Sequence, residues 1–220
     1  MKAQEQLKLR VVPADSGFWL DAILDDQIMK HLWKCIRKAK KDAINYKQTL
    51  AGNLSESYQL IDIDNIFTQN AIKPLVNEYI NESGVSFGSK LELSGLWVNF
   101  QNKHEFNPQH NHNGTYSFVI WMKIPYTFEE ECKQSFLDGV NHNDIRVGCF
   151  EFQYTNMLGN IVSTTYAMSP EVEGHMLLFP SALKHQVYPF YTSDEQRVSI
   201  SGNIWATDQY GREYNPDAGM

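Results

Sequence analysis

Arg197-Val198-Ser199-Ile200-Ser201-Gly202-Asn203-Ile204 puts Val198, Ile200 and Ile204 on one face of an extended chain, with Arg197, Ser199, Ser201 and Asn203 on the other. The split follows because successive side chains of a strand point to opposite sides. Two readings stay open: a sheet with one wet side, or a strand whose polar face lines the inside of a barrel. In the second reading the Arg197 guanidinium and the Ser199 hydroxyl, two residues apart, form a fork suited to a carboxylate. Ser201 and Asn203 are weaker candidates on the same face. Further runs of period two cover Leu93 to Lys103, Tyr116 to Ile124, Arg146 to Tyr154 and His175 to Pro180, parted by Gly, Pro and Asn turns.

Upstream, the period becomes helical. Ile28, Leu32, Cys35, Ile36, Ala39 and Ala43 recur at steps of three and four after the start signal Asp25-Asp26, which predicts an amphipathic helix to about Tyr46. A second stripe, Ile72, Leu75, Val76, Tyr79 and Ile80, ends before Gly84, with Pro74 tolerable near its first turn. The expectation is one domain: residues 1–90 mostly helical and packed on a sheet, 91–205 the β core, 206–220 a tail. Strands preceded by helices, rather than alternating with them, predict a mainly β fold with helices, an antiparallel sandwich or barrel backed by the N-terminal helices. Tyr126 to Asp144 reads as an acidic insertion with a short helix around Glu129 to Leu137.

Composition excludes several classes. Over 220 residues, 42% hydrophobic and 20% charged content is too apolar for a disordered chain. Nineteen Lys and Arg against twenty-six Asp and Glu give a formal charge of -7, so no broad cationic field exists for a nucleic acid or an anionic membrane, and neither partner is expected. The basic run Lys34 to Lys41 reads as a solvated helix face. Cys35, Cys132 and Cys149 have no short spacing, which suggests neither a zinc ribbon nor a disulfide framework, and a reduced, cytoplasmic setting is expected. Met1 to Arg10 has no apolar core of a leader, and no window approaches eighteen consecutive apolar residues.

Seven histidines are the candidates for metal chemistry. In His110-Asn111-His112 the two imidazoles share a face if the segment is extended, and both can meet one ion; in a loop they are ordinary polar residues. Gly174 to Pro180 reads as a buried strand ending in a turn, after which His185 returns along a neighbouring strand toward the pair. His185 alone is a satisfied or solvent-facing histidine; with the pair it completes three ligands. Trp97, Asn99 and Gln101 share a face, best read as core for Trp97 and solvated amides for the others, and Tyr116 and Trp121 carry the same ambiguity. His31, His104 and His142 read as surface residues, and His175, beside the Gly174 turn, as no ligand. No Ser-His-Asp order, phosphate loop or dinucleotide fingerprint competes.

Taken together, Asn107-Pro108-Gln109-His110-Asn111-His112, the strand from Ser117 to Ile124, the segment Glu173 to His185, and Glu195-Gln196-Arg197-Val198-Ser199-Ile200-Ser201 resemble the iron(II)- and 2-oxoglutarate-dependent oxygenase superfamily, in particular its small bacterial and phage-type members. The resemblance covers roughly Trp97 to Trp205. It implies a double-stranded β-helix, or jelly roll, with iron(II) at the mouth of the barrel and 2-oxoglutarate chelating it. By position, His110 and His185 match the two histidine ligands, while Arg197 and Ser199 match the residues that hold the distal carboxylate of 2-oxoglutarate. The departure is His112, where most relatives place Asp or Glu. Either His112 is a neutral third ligand, the preferred reading because it keeps three protein donors, or it is itself the first ligand with Gly114 two residues on. Three imidazoles leave ferrous iron at +2 rather than +1, which favours a dianionic cosubstrate but donates less electron density to the metal.

The implied reaction uses dioxygen, decarboxylates 2-oxoglutarate to succinate and hydroxylates a C–H bond of a small-molecule or peptide substrate. Self-association into a homo-oligomer stays open. Two other readings accompany this one: a jelly-roll structural or binding protein without turnover, and a cupin-like three-histidine metalloenzyme that does not use 2-oxoglutarate and leaves Arg197 without a task.

Overall fold

A computed structural model describes residues 8–14, 17–47, 51–83 and 90–207. In chain order the strands are β1 (Lys8–Ala14), β2 (Gly17–Ile23), β3 (Glu56–Gln59), β4 (Lys90–Gln101), β5 (Asn107–His110), β6 (Tyr116–Lys123), β7 (Phe150–Thr155), β8 (Ile161–Tyr166), β9 (His175–Pro180), β10 (Lys184–Val187) and β11 (Arg197–Thr207). They form a seven-stranded sheet in the order β1-β2-β9-β6-β11-β4-β3 and a four-stranded sheet in the order β5-β10-β7-β8. The neighbours pair antiparallel, as in β11 with β4 and with β6, β6 with β9, and β10 with β5 and with β7. This is the jelly roll that the family resemblance implies.

Alternation sorts the large sheet into two faces. Leu96, Val98 and Phe100 of β4, Phe118, Ile120 and Met122 of β6, Met176 and Leu178 of β9, and Val198, Ile200 and Ile204 of β11 join one apolar core with the helices. Helix α1 (Asp26–Asp42) brings Ile28, Leu32, Cys35, Ile36 and Ala39 to that core. The Asp25 carboxylate accepts from the Ile28 N–H at 2.8 Å and caps its start, and Ala43 in the left-handed region ends it. Helix α2 (Lys73–Ser83) adds Leu75, Val76 and Tyr79. Pro74 has no N–H for an i→i−4 bond, and the turn before it, Thr68–Ile72, is wound as a π-helix.

The opposite face of the large sheet looks inward, toward the small sheet. Its β6 and β9 side is apolar, with Val119, Trp121, Leu177 and Phe179 packed against Phe150 and Phe152 of β7. Its β11 and β4 side carries the polar row of β11 facing Trp97, Asn99 and Gln101, with Ser199 opposite Asn99 and Ser201 opposite Trp97. The polar face of β11 therefore lines the interior, and the alternative of a solvated sheet face falls away.

Several expectations shift. Residues 1–90 were expected to be mostly helical, yet they also supply β1, β2 and β3, and β2 pairs with β9 as the second strand of the large sheet. The expected tail begins later, since β11 runs to Thr207; residues 208–220 lie outside the described residues. The insertion holds a four-residue helix, α3 (Phe128–Glu131), and 3-10 turns at Ser135–Leu137 and His142–Asp144. It is pinned by buried Glu131, whose carboxylate accepts from the Tyr191 and Thr192 N–H groups at 2.8 Å each. The helix face from Lys34 to Lys41 is solvated at its basic positions, as expected. His31 is not a surface residue: it is buried on α1, because position 31 falls on the apolar stripe between Ile28 and Cys35.

Candidate metal centre

β5 and β10 are hydrogen-bonded neighbours with His110 directly opposite His185. Opposed residues of a ladder share a face, and His112, two residues beyond His110, comes back to it. The ring centroids lie 4.3 Å apart for His110 and His185, and 5.0 Å apart for each of the other two pairs. One ligand nitrogen from each ring lies within 4.8 Å of the other two. His112 Nε2 and His185 Nε2 are 3.1 Å apart.

Backbone carbonyls fix which nitrogen is free. His110 Nδ1 donates to the Pro108 carbonyl at 2.7 Å and His185 Nδ1 donates to the Leu183 carbonyl at 3.0 Å, since a carbonyl can only accept. Each ring therefore keeps its proton on Nδ1 and leaves the Nε2 lone pair for a ligand bond. Burial, then the neighbouring imidazoles of His110 and His112, hold His185 well below its ordinary pKa. Burial, with His110 beside it, pushes His112 down to about 4. Burial also lowers His110, against the raising effect of the Pro108 carbonyl. All three are uncharged at neutral pH, the state in which imidazole binds a metal. The rings of Phe150, Phe152 and Phe179 lie 5.7, 6.1 and 5.0 Å from that of His185 and give it its apolar surroundings.

A cavity of about 260 Å³ adjoins the three imidazoles, with Trp97, Asn99, Ser199, Ser201 and Asn203 forming its β4 and β11 wall. The Asn99 amide oxygen accepts from Ser57 Oγ at 2.7 Å and that of Asn203 from Ser117 Oγ at 2.9 Å, which orients both amides. The described residues that line the cavity include no Asp, Glu, Lys or Arg. No residue of the stretch from Tyr126 to Asp144 is among them.

The structure thus brings His110, His112 and His185 together and sets Ser199 in the same cavity. Arg197 lies on the same strand face but not among the lining residues. Its five N–H groups go to protein acceptors: Nε and Nη2 to Gln101 Oε1 at 3.2 and 2.7 Å, Nη2 to the Tyr188 carbonyl at 3.0 Å, and Nη1 to the Gly148 carbonyl at 3.2 Å and to the Tyr126 hydroxyl. Trp97 and Asn99, read from sequence as core and solvated amide, are cavity wall, and Gln101 is the acceptor for Arg197. The signal for them was the matching polar face of β11, which has meaning only once β4 is known to pair with it. His175 bonds Asp21 at 2.9 Å and stands apart from the cluster, as expected.

The donor set suits a first-row divalent ion. Imidazole nitrogens take iron, zinc, copper and nickel, and the group that could share one ion with His110 and His185 contains His112 and no carboxylate.

Fold and site define a jelly-roll protein with a three-histidine centre inside the barrel. Residues 95–203 match the family model described as "Putative 2OG-Fe(II) oxygenase". No curated protein sequence matches the chain. Among solved structures, the viral collagen prolyl hydroxylase of Paramecium Bursaria Chlorella virus-1, a 2-oxoglutarate complex, is 14% identical, with 88% of this chain and 98% of that one covered and a TM-score of 0.53. A Pseudomonas putida prolyl-4-hydroxylase is 15% identical, with 84% and 90% covered and a TM-score of 0.50. The non-heme alpha ketoglutarate dependent epimerase SnoN from nogalamycin biosynthesis is 13% identical, with 92% and 84% covered and a TM-score of 0.50. At such identities the likeness is one of fold. The family match and the fold together support the 2OG-Fe(II) oxygenase superfamily, which implies iron(II) and 2-oxoglutarate as cofactors. Among the described residues no helix is long and apolar enough to cross a membrane.

Proposed function

We propose that the protein is an iron(II)- and 2-oxoglutarate-dependent dioxygenase that hydroxylates a small-molecule or peptide substrate. The observation that carries this reading is the convergence of three neutral imidazoles on one point beside a cavity, two of them with Nδ1 spent on backbone carbonyls. His110, His112 and His185 would hold the iron. The bound iron with 2-oxoglutarate supplies dioxygen activation, with decarboxylation to succinate and hydroxylation of a C–H bond.

The chain's own residues do the rest. The carbonyls of Pro108 and Leu183 keep the ligand protons on Nδ1, and Phe150, Phe152 and Phe179 exclude water from behind His185. Ser199 offers a hydroxyl to the distal carboxylate of 2-oxoglutarate, and Arg197, one step further along the same face, offers a buried cation whose present partners are all neutral. Arg197 would hold a carboxylate there by giving it a donor that now goes to Gln101 or Tyr126. The lining, without acidic or basic side chains among the described residues, supports an uncharged reacting group on the prime substrate. Succinate release from 2-oxoglutarate in air tests this. Iron-dependent release that disappears in His110→Ala and His185→Ala is expected; none from an iron-loaded, folded protein counts against it.

A cupin-like three-histidine enzyme that does not use 2-oxoglutarate is the second reading. The observation in its favour is the full engagement of Arg197 within the protein. Arg197→Ala separates the two, by raising the 2-oxoglutarate requirement steeply in the first case and leaving metal-dependent activity nearly unchanged in the second.

A further inference from the structure

The helical layer holds a second convergence of ligand atoms, none from a residue lining the cavity. His31 and Cys35 are four residues apart on α1 and so lie on one face of it. Facing them is Asp62, whose carboxylate also caps the helical segment that leads into α2: it accepts from the Phe67 N–H at 3.1 Å, the Thr68 N–H at 2.8 Å and Thr68 Oγ1 at 2.7 Å. His31 Nε2 lies 2.9 Å from Asp62 Oδ1 and 3.4 Å from Cys35 Sγ, and the three ligand atoms fall within 4.8 Å of one another. The cluster is buried, with Cys35 at 1% exposure and the His31 and Asp62 side chains at 6% and 4%.

One imidazole nitrogen carries either one proton or one lone pair, yet here it serves two neighbours. We infer that His31, Cys35 and Asp62 form a zinc-type divalent-cation site that ties α1 to the helical segment after Asp62. A thiolate, an imidazole and a carboxylate around a dication sum to zero charge, which suits a buried place. The sulfur and nitrogen donors select zinc or cobalt over magnesium or calcium. Bonds of about 2.0–2.3 Å separate tetrahedral neighbours by roughly 3.3–3.7 Å, so the cluster opens by a few tenths of an ångström to admit the ion. Binding sends the thiol proton to solvent and leaves the imidazole proton on Nδ1, so that Nε2 faces the metal.

Cobalt(II) titrated anaerobically into the full-length protein tests the site, because the centre at His110, His112 and His185 has no sulfur and cannot give a thiolate-to-cobalt absorption band in the near ultraviolet. The band is expected to reach full height by two equivalents, one for each centre, to vanish in Cys35→Ser together with one equivalent of bound cobalt, and to need at least tenfold more cobalt in Asp62→Asn. Zinc should raise the Tm of the wild type by more than that of Cys35→Ser, which keeps only the three-histidine centre. If Cys35→Ser does not fold, X-ray absorption of the wild type with two zinc ions bound, enough for both centres, decides: a zinc–sulfur shell at about 2.3 Å is expected. No band and no sulfur shell in the wild type, or a band that persists in folded Cys35→Ser, overturns the inference. Neither result bears on the three-histidine centre.

Discussion

Arg197→Met removes the guanidinium and keeps most of the side-chain volume, so its effect is set by what the acceptors lose. The Gly148 carbonyl keeps the Tyr126 hydroxyl at 2.7 Å, but the Tyr188 carbonyl and Gln101 Oε1 lose the donors at 3.0 and 2.7 Å. Two stranded buried acceptors at about 1–3 kcal/mol each give roughly 2–6 kcal/mol. Release from burying a cation offsets part of this, which brings the expected loss to about 2–4 kcal/mol. For a chain of this size that is a fall in Tm of about 4–16 °C. Thermal and urea unfolding of both proteins measures it, and a fall below about 2 °C refutes the reasoning that the guanidinium is a structural hub. Repeating the melts anaerobically with iron(II) and 2-oxoglutarate adds the functional arm. The cosubstrate should raise the wild-type Tm by more than the variant's; equal increments mean that the guanidinium does not grip the carboxylate.

Other outcomes follow from single contacts. A Cβ added at Gly202 would stand 2.5 Å from Phe118 Cζ and 2.6 Å from the Gly95 carbonyl oxygen, so Gly202→Ala should cost about 1–3 kcal/mol or more, read as a lower urea midpoint at unchanged slope. Burial pushes the Glu151 carboxyl up, but hydrogen bonds from Gln186, Arg146 and Thr165 outweigh it and hold the group below its ordinary value. That stability is present above the unfolded-state value and is lost as pH falls through the folded one, so Glu151→Gln should be less stable than the wild type at pH 7 and lose less on acidification, checked by melts between those limits. His112→Asp should keep iron and raise turnover by lowering the charge of the centre, whereas His112→Ala should weaken iron binding by an order of magnitude or more; anaerobic iron titration with a succinate assay reports both.

Much of this was legible where the sequence pairs a period with a chemical type. The alternation through Val198, Ile200 and Ile204 declares a strand, and the spacing of His110, His112 and His185 around a strand-turn-strand segment allows a shared face if the first two lie on extended chain. What stayed hidden depends on pairing across the chain. Val11-Val12-Pro13-Ala14 and Phe18-Trp19-Leu20 flank Asp15-Ser16-Gly17, a turn signal, but nothing local says that β2 docks beside β9. Asn99 is a solvated amide or a cavity wall according to what lies opposite, and only the β4–β11 register puts Ser199 there. His31, read as a surface residue, sits on a stripe that carried the signal for its burial; its partner Asp62, thirty-one residues away, has no such signal. The neutral acceptors around Arg197 come from four separate stretches, and so its saturation has no trace in the residues beside it.

Anaerobic addition of iron(II) and 2-oxoglutarate, followed by visible absorption, probes the convergence of the three imidazoles most directly. The account predicts the weak charge-transfer band of the iron chelate, complete at one equivalent and lost in each of His110→Ala, His112→Ala and His185→Ala. A wild type that gives no band, or one that survives undiminished in any of the three variants, contradicts it.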